Sequence, residues 1–298
     1  MSGDDHFDFF VKKQRKFDAE TDKRRKKIKH DQDRKSVDDV VDFSTAKVLE
    51  KFIRQDYIKE VTGIISTGKE ANVYIGLIGE KSKEQLLEQG FEQSKEQKYV
   101  AIKVYRTRVI EFKNFQRYIH GDPRFKSMSK SSHKLITEWA LKEYKNLARI
   151  TKAGIKAPVP VAVKRNVLLA QFIGESNLPA PLLKDMEGIN YEKLYKELIE
   201  TIKKLFLDAD LVHADLSEYN LLYYNGSCFI IDVGQAVLDS HPEALTFLKR
   251  DINNLNYFFN KKGIEELQDP VKMIKGMLKE KGTLEDEDFY SDEVISSG

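Results

Sequence analysis

The apolar positions of this chain follow two rhythms. From Ser44, "STAKVLEKFIRQDYI" places apolar residues at 48, 49, 52, 53 and 57, the stripe of a helix. "VTGIISTGKEANVYIGLI", from Val61, instead alternates and is rich in β-branched residues, which predicts two strands around a glycine-containing turn. "YVAIKVY", Tyr99 to Tyr105, predicts a further short strand, and "APVPVAVKRNVLLAQFIG", from Ala157, two more. The helical rhythm returns in "KLITEWALKEYKNLARITKAG", with Ile136, Trp139, Ala140, Leu147 and Ile150 on one face and Gly154 as a stop. It dominates after "PAPLL": Leu194, Leu198, Ile202 and Leu205 share a face of "NYEKLYKELIETIKKLFLDA".

Strands early and helices late make an α+β protein, with a small sheet-rich lobe followed by a helical one. The expected boundaries are a charged extension over 1–43, the sheet lobe over 44–171, the helical lobe over 172–283 and an acidic tail over 284–298. Two stretches fit neither rhythm. Residues 81–97 read as a polar, helical insertion without a functional reading, and residues 106–133, basic and serine-rich, as a mobile loop.

Composition narrows the class. The 298 residues are 33% charged and 41% hydrophobic, which suits a soluble globular chain. A single cysteine, Cys228, excludes an intrachain disulfide and points to a reducing, cytoplasmic setting. No apolar run reaches the ~18 residues a membrane span needs. The net charge of +2 decides nothing about nucleic acid, but six of the seven residues from Lys23 to Lys29 are basic. That run reads either as a solvated helix face or as a contact with RNA phosphates.

The chemistry concentrates between His213 and Asp232. Asn225-Gly226 is a two-residue turn between β-prone runs, so pairing outward sets Tyr224 against Ser227, Leu222 against Phe229 and Asn220 against Ile231. Asp232 then lies beside Asn220, and Asp215 is five residues upstream on the incoming loop. Three oxygen-bearing side chains converge at one end of a hairpin. Such a set suits Mg²⁺, with Mn²⁺ as an alternative. Asn220 and Asp232 would hold the metal, leaving Asp215 to take a proton from an attacking hydroxyl or water. The spacing is H-x-D-x-x-x-x-N followed by D-x-G, a long pattern. A hairpin whose polar ends merely face solvent is the plainer account.

Two further elements precede it. Lys103 ends "VAIK" on a buried strand and can neutralise phosphate oxygens. Glu143, on the apolar stripe of the next helix, can hold it, because a lone buried carboxylate would be costly. "STGKEANVY" puts Ser66, Gly68 and Ala71 where a kinase glycine loop carries three glycines, so alone it reads equally as an ordinary hairpin turn.

Together "STGKEANVY", "HADLSEYN" and "IIDVGQAV" resemble the RIO family of atypical serine/threonine protein kinases, and "TAKVLEKFI" and "FIGESNLPAPLL" its first, Rio-one-type subfamily. The resemblance covers about residues 44–283 and implies a two-lobed protein-kinase-like fold without an activation loop or peptide-binding subdomains. It implies ATP and a divalent metal. Lys103 and Glu143 become the ATP-positioning pair; Ser66, Gly68, Lys69 and Val73 line the phosphate-covering loop; Gln171 and Ile173 match the adenine-binding hinge. Asp215 matches the catalytic aspartate, Asn220 and Asp232 the metal ligands, and Asp232 the aspartate that is transiently phosphorylated. The stretch 106–133 resembles the family's autophosphorylated loop. The implied role is maturation of the small ribosomal subunit, with rRNA and proteins of its precursor as partners, and the short acidic tail suggests an archaeal-type member. Two other classes compete: a small-molecule phosphotransferase sharing the H-x-D-x-x-x-x-N loop, and a non-catalytic scaffold using the basic run.

After Val237 the chain is expected to enter a helix at once, with Pro242 in its first turn. Ala214 stands where protein kinases carry an arginine that contacts a phosphorylated activation loop.

Overall fold

The computed structural model describes residues 42–106, 117–122, 124 and 132–283. The run Lys23–Lys29, most of 106–133 and the acidic tail lie outside the described residues. The described chain forms two compact units. Of the described residues, one holds 42–106, 132–144 and 159–179; the other holds 117–122, 124, 145–158 and 180–283. One long helix contributes to both units, and a small hairpin extends the first unit to Pro179.

The first unit begins with α1, Phe43–Arg54, capped by Asp42, whose carboxylate accepts from Thr45 N at 2.8 Å. Its stripe buries Val48, Leu49 and Phe52. There follow β1, Ile58–Thr67; β2, Ala71–Ile78; α2, Glu80–Glu88; β3, Tyr99–Tyr105; α3, Ser132–Lys152; β4, Pro160–Lys164; and β5, Val167–Gln171. A two-residue pair, β6 (Gly174–Glu175) and β7 (Leu178–Pro179), closes the unit. The five longer strands form one antiparallel sheet in the order β1-β2-β3-β5-β4. Strand alternation splits β3 cleanly. Val100, Ile102 and Val104 are fully buried on one face, and Lys103 and Tyr105 lie on the other. The first face carries the apolar core, which includes residues of α1, Leu86 of α2, and Val161, Val167 and Leu169 of β4 and β5.

The stretch 81–97 is therefore more than a polar insertion. Its first part is amphipathic, and Leu86 is fully buried in that core with Phe91 packed beside it. The turn before α2 needs a glycine: a Cβ at Gly79 would sit 1.9 Å from the Asp56 carbonyl oxygen. Ser82 Oγ donates to Tyr57 O at 2.6 Å and Gln89 Nε2 to Pro160 O at 2.5 Å, tying both ends of α2 to the sheet.

In the second unit, α4 (Tyr191–Leu207) buries Leu194, Leu198, Ile202 and Leu205, as its periodicity predicts. Next come β8, Leu211–Val212; β9, Leu221–Tyr224; β10, Ser227–Ile230; and β11, Val237–Leu238. The helices α5, Ala244–Lys261, and α6, Pro270–Glu280, complete it. The chain does not turn helical directly after Val237. Val237 and Leu238 first pair with Val212 and Leu211. Pro242 precedes the N-cap Glu243 and so lies just outside α5. Pairing with β8 wins locally over the helical pattern. Among the described residues no helix is long and apolar enough to cross a membrane.

Leu86→Ala should lower unfolding stability by about 2–4 kcal/mol, the usual cost of emptying a filled core site. Chemical denaturation checks this; a loss below about 0.5 kcal/mol, typical of a surface change, would return 81–97 to a solvated insertion.

Candidate active site

The first cluster belongs to the sheet unit. Lys103 Nζ lies 2.8 Å from both carboxylate oxygens of Glu143. Glu143 is only 3% exposed, so the ammonium offsets a desolvation cost the helix could not bear alone. Tyr105 OH donates to the same carboxylate. It stands two residues beyond Lys103, hence on the same face of β3. Tyr105 was not singled out from sequence, although i+2 spacing from a strand lysine could have flagged it.

The loop between β1 and β2 reaches toward this edge. Ser66 pairs with Val73, and Val73 with Lys103, so the loop's exit and the lysine are neighbours by register. Gly68 N donates to Ala71 O at 3.0 Å, closing a tight turn, and Ser66, Gly68 and Lys69 are exposed. Arg106 fastens the turn's far side: its N–H donates to Glu70 O at 2.9 Å and its Nη2 to the buried Asn72 Oδ1 at 3.2 Å. At the end of β5, Gln171 N donates to Val159 O at 2.8 Å and its side-chain oxygen accepts from Val159 N at 3.3 Å. Gln171 thus directs its N–H into the fold. The Ile173 backbone makes no such bond among the described residues.

The second cluster is built on the β9–β10 hairpin, whose register is the one read from Asn225-Gly226. Tyr224 faces Ser227 and Leu222 faces Phe229. Both turn residues have positive φ, 50° and 77°, as a type I′ turn requires. Ile231 N donates to Asn220 O at 3.0 Å, which puts Asp232 beside Asn220. Asn220 Nδ2 donates to Asp215 O at 2.8 Å and contacts Asp215 Oδ2 at 3.3 Å. With its NH₂ turned to Asp215, Asn220 keeps its Oδ1 as the atom able to face a cation. Burial raises the Asp215 carboxyl above its ordinary range, and the charge of Asp232 raises it further against Arg250 and Asn220.

Backbone strain marks both ends of this cluster. Ala214 and Asp232 sit in the left-handed region, with φ of 65° and 61°. The cause at Ala214 is plain. Asp251, buried on α5, accepts from Ala214 N at 2.8 Å and from Leu216 N at 2.9 Å. Arg250 donates to the Ala214 carbonyl and Asn254 Nδ2 to Leu216 O at 3.1 Å. Three residues of one helix turn therefore hold the loop that carries Asp215. None was singled out from sequence. An aspartate amid Phe247, Leu248, Ile252 and Leu255 was the available signal, since a charge on an apolar stripe needs a partner.

The donor set fits a small hard cation. Asp215 and Asp232 repel each other, and a cation between carboxylate and amide oxygens relieves that repulsion. Among the described residues no three His, Cys, Asp or Glu side chains are grouped as a complete metal site. A shell of one or two carboxylates, finished by phosphate oxygens and water, is the usual habit of Mg²⁺.

Sheet order and the two clusters define an α+β fold of kinase type. The RIO domain model matches residues 89–272, and the chain belongs to the RIO family. It is similar to the probable serine/threonine-protein kinase RIO1 homolog of Encephalitozoon cuniculi, 38% identical over 246 residues, 80% of this chain and 64% of that protein. It is similar to human serine/threonine-protein kinase RIO1, 38% over 237 residues, 78% of this chain and 39% of that one. Human serine/threonine-protein kinase RIO3 is also 38% identical, over 255 residues, 82% of this chain and 47% of that protein. The chain thus spans about half the length of these curated relatives. The crystal structure of the Rio2 kinase-ADP/Mg²⁺-phosphoaspartate complex from Chaetomium thermophilum shares the fold, with a TM-score of 0.58 at 20% identity, covering 80% of this chain and 71% of that one.

Two buried groups near the loop titrate in opposing senses. Burial lowers His213 from 6.5 to about 4, against the carbonyl of Ile231, 3.2 Å from its Nε2. An unfolded histidine takes up a proton first as pH falls, so His213 contributes stability above pH 6.5 that is lost toward pH 4. Burial raises Asp251 from 3.8 to about 7, against its two N–H donors and Arg250, so its contribution fades as pH rises from 4 to 7. The two slopes offset in the native chain. His213→Asn should therefore leave stability that falls with rising pH, and Asp251→Asn stability that rises, each by about 3 kcal/mol across the window. Urea titrations at pH 4.5, 5.5 and 6.5 check the signs; parallel profiles for both variants would contradict them.

Proposed function

We propose that this chain is an ATP- and Mg²⁺-dependent serine/threonine kinase and ATPase of RIO type that phosphorylates itself. The observation that carries the reading is the Asp215–Asn220–Asp232 cluster, set by a hairpin register and held by Asp251. The Lys103–Glu143 pair supports it independently. The curated relatives are named as serine/threonine-protein kinases, and the Rio2 structure from Chaetomium thermophilum is described as an ADP/Mg²⁺-phosphoaspartate complex.

On this reading each group has a distinct task. Glu143 holds the Lys103 ammonium on its strand, where it neutralises phosphate oxygens. Ser66, Gly68 and Lys69 cover the phosphates from the exposed turn, and Val73 lies beneath. Gln171 and Ile173 form the hinge, whose backbone groups supply the adenine contacts. Asn220 and Asp232 would hold the metal, which when bound would draw charge from the phosphate oxygens. Asp232 accepts the γ-phosphoryl group: a carboxylate oxygen bonds to phosphorus as the bond to ADP breaks. Asp215, its carboxyl held above the ordinary carboxylate range by burial, accepts the proton of the water or serine hydroxyl that takes the phosphoryl group onward. Helix α5 begins at Ala244, which leaves little chain after Asp232 for a peptide-docking segment. That favours an ATPase-like switch that also autophosphorylates. Its setting, on the family resemblance, is cytoplasmic maturation of the small ribosomal subunit, with Lys23–Lys29 against rRNA.

Asp215→Ala and Asp232→Asn should each lower Mg²⁺-dependent ATP turnover at least about 100-fold, the usual worth of a positioned base or metal ligand. Phosphate-release kinetics measure this, with melting temperatures recorded alongside; native-like turnover in both variants would end the proposal. A separate expectation concerns the covalent step. Protein incubated with γ-labelled ATP and Mg²⁺ should lose label to hydroxylamine, as an acyl phosphate does. Label that resists hydroxylamine in every preparation would place the phosphoryl group on a hydroxyl alone and remove Asp232 as acceptor.

A further inference from the structure

The stretch read from sequence as a mobile loop contains a segment that packs on the chain following Asp232. Residues 117–119 form a helical turn, and Ile119 and Asp122 are buried. Arg117 Nε pairs with Glu243 Oε2 at 2.6 Å, and the Tyr118 ring lies 5.4 Å from that of Phe247. Gly121, with φ +86°, presses on Pro242: a Cβ there would lie 2.8 Å from Pro242 Cδ.

Beyond this anchor sits a polar clasp. Arg124 Nε donates to Asp122 Oδ1 at 2.9 Å and Oδ2 at 3.1 Å, and Nη2 to Oδ2 at 2.6 Å. Arg124 N also donates to Asp122 Oδ1 at 2.9 Å, so the pair is locked by backbone as well as side chain. Arg124 Nη1 donates to Asn146 Oδ1 at 2.7 Å, and Nη2 reaches Ala236 O at 3.4 Å. Asn146, fully buried, donates its Nδ2 to Val233 O at 2.7 Å and Ala236 O at 3.2 Å.

These bonds converge on four residues, Val233 to Ala236, directly after Asp232. Val233 and Ala236 are buried, so their carbonyls have no water to turn to. Asp232 holds a left-handed backbone that a chain abandons unless its neighbours fix it. Asn146 grips the carbonyls, and Arg124 fixes which way the Asn146 amide points. The guanidinium fork can do this because its five donors are coplanar, which an ammonium cannot match.

We propose that Arg124, oriented by Asp122, is a positioning residue for Asp232. Acting through Asn146, it sets the backbone that aims the Asp232 carboxylate at the metal. The restraint comes from the segment that precedes α3 in sequence. This rests on the reading of Asp232 as metal ligand and phosphoryl acceptor.

The test uses the full chain, wild type against Arg124→Ala, Arg124→Lys and Gly121→Ala, with Asp232→Asn as reference. Two quantities are read: hydrogen–deuterium exchange of the 233–236 amides, and the Mg²⁺ concentration giving half-maximal ATP turnover. Arg124→Ala should speed exchange at 233–236 by about tenfold or more, while amides of α4 stay as in wild type. It should also raise the half-saturating Mg²⁺ about tenfold, as loss of a group behind a metal ligand does, with KM for ATP at saturating Mg²⁺ within about twofold. Arg124→Lys should restore only part of both, and Gly121→Ala should reproduce both weakly by lifting the segment off Pro242. Should Arg124→Ala fail to fold, the last two variants carry the test. Exchange and Mg²⁺ requirement within about twofold of wild type in every folded variant would overturn the proposal. Faster exchange with an unchanged Mg²⁺ requirement would also overturn it, leaving a purely structural pin. A wild-type chain without Mg²⁺-dependent turnover would instead overturn the proposed function, and the exchange arm would still show whether the clasp holds the segment.

Discussion

A buried carboxylate holds the chemistry of this protein in place. Asp251 points from the apolar face of α5 into the backbone of the loop that carries Asp215, and takes the N–H groups of Ala214 and Leu216 on its two oxygens. Those groups sit in a loop, outside any ladder, and could not otherwise be satisfied away from water. The left-handed turn at Ala214 brings both N–H groups onto one acceptor, and that turn sets the direction in which Asp215 leaves the loop. Protein kinases place an arginine at the position of Ala214; here Arg250, next to Asp251, reaches the Ala214 carbonyl from the helix instead. Loop geometry, strain and orientation follow from one helix turn.

Much of the site was legible because its spacing is local. A two-residue Asn-Gly turn fixes a hairpin register, and the register alone placed Asp232 beside Asn220. Lys103 and Glu143 were legible for a different reason: each is a charge on an element that otherwise reads as buried, so each required the other. The strands and the amphipathic helices followed from period 2 and period 3.6 for the same reason, since each pattern is a short-range property.

What escaped sequence reading is long-range or marginal. Asp251 and Ala214 are 37 positions apart, and no local rule pairs an aspartate with a loop N–H at that distance. Arg124 and Asn146 lie in a serine-rich stretch and on a helix, and only the fold brings both onto the carbonyls of Val233 and Ala236. The stretch 81–97 looked polar because most of it is; Leu86 and Phe91 tie it to the core while Leu87 stays exposed, and so few apolar side chains in a polar window give no clear periodicity. Pro242 suits a first helical turn, yet the pairing of Val237 and Leu238 with β8 moved the helix start past it.

Strand β3 carries its core residues and its chemistry in alternation: Val100, Ile102 and Val104 on one face, Lys103 and Tyr105 on the other. Both polar heads meet Glu143. A slip of one residue against β2 or β5 would turn the ammonium and the phenol into the apolar core and present Ile102 and Val104 to a buried carboxylate. A misregistered sheet therefore loses its core and its lysine–glutamate pair in a single error. Folding fidelity and active-site assembly are checked by the same strand, and a stable chain with a displaced lysine is not an accessible product of misfolding.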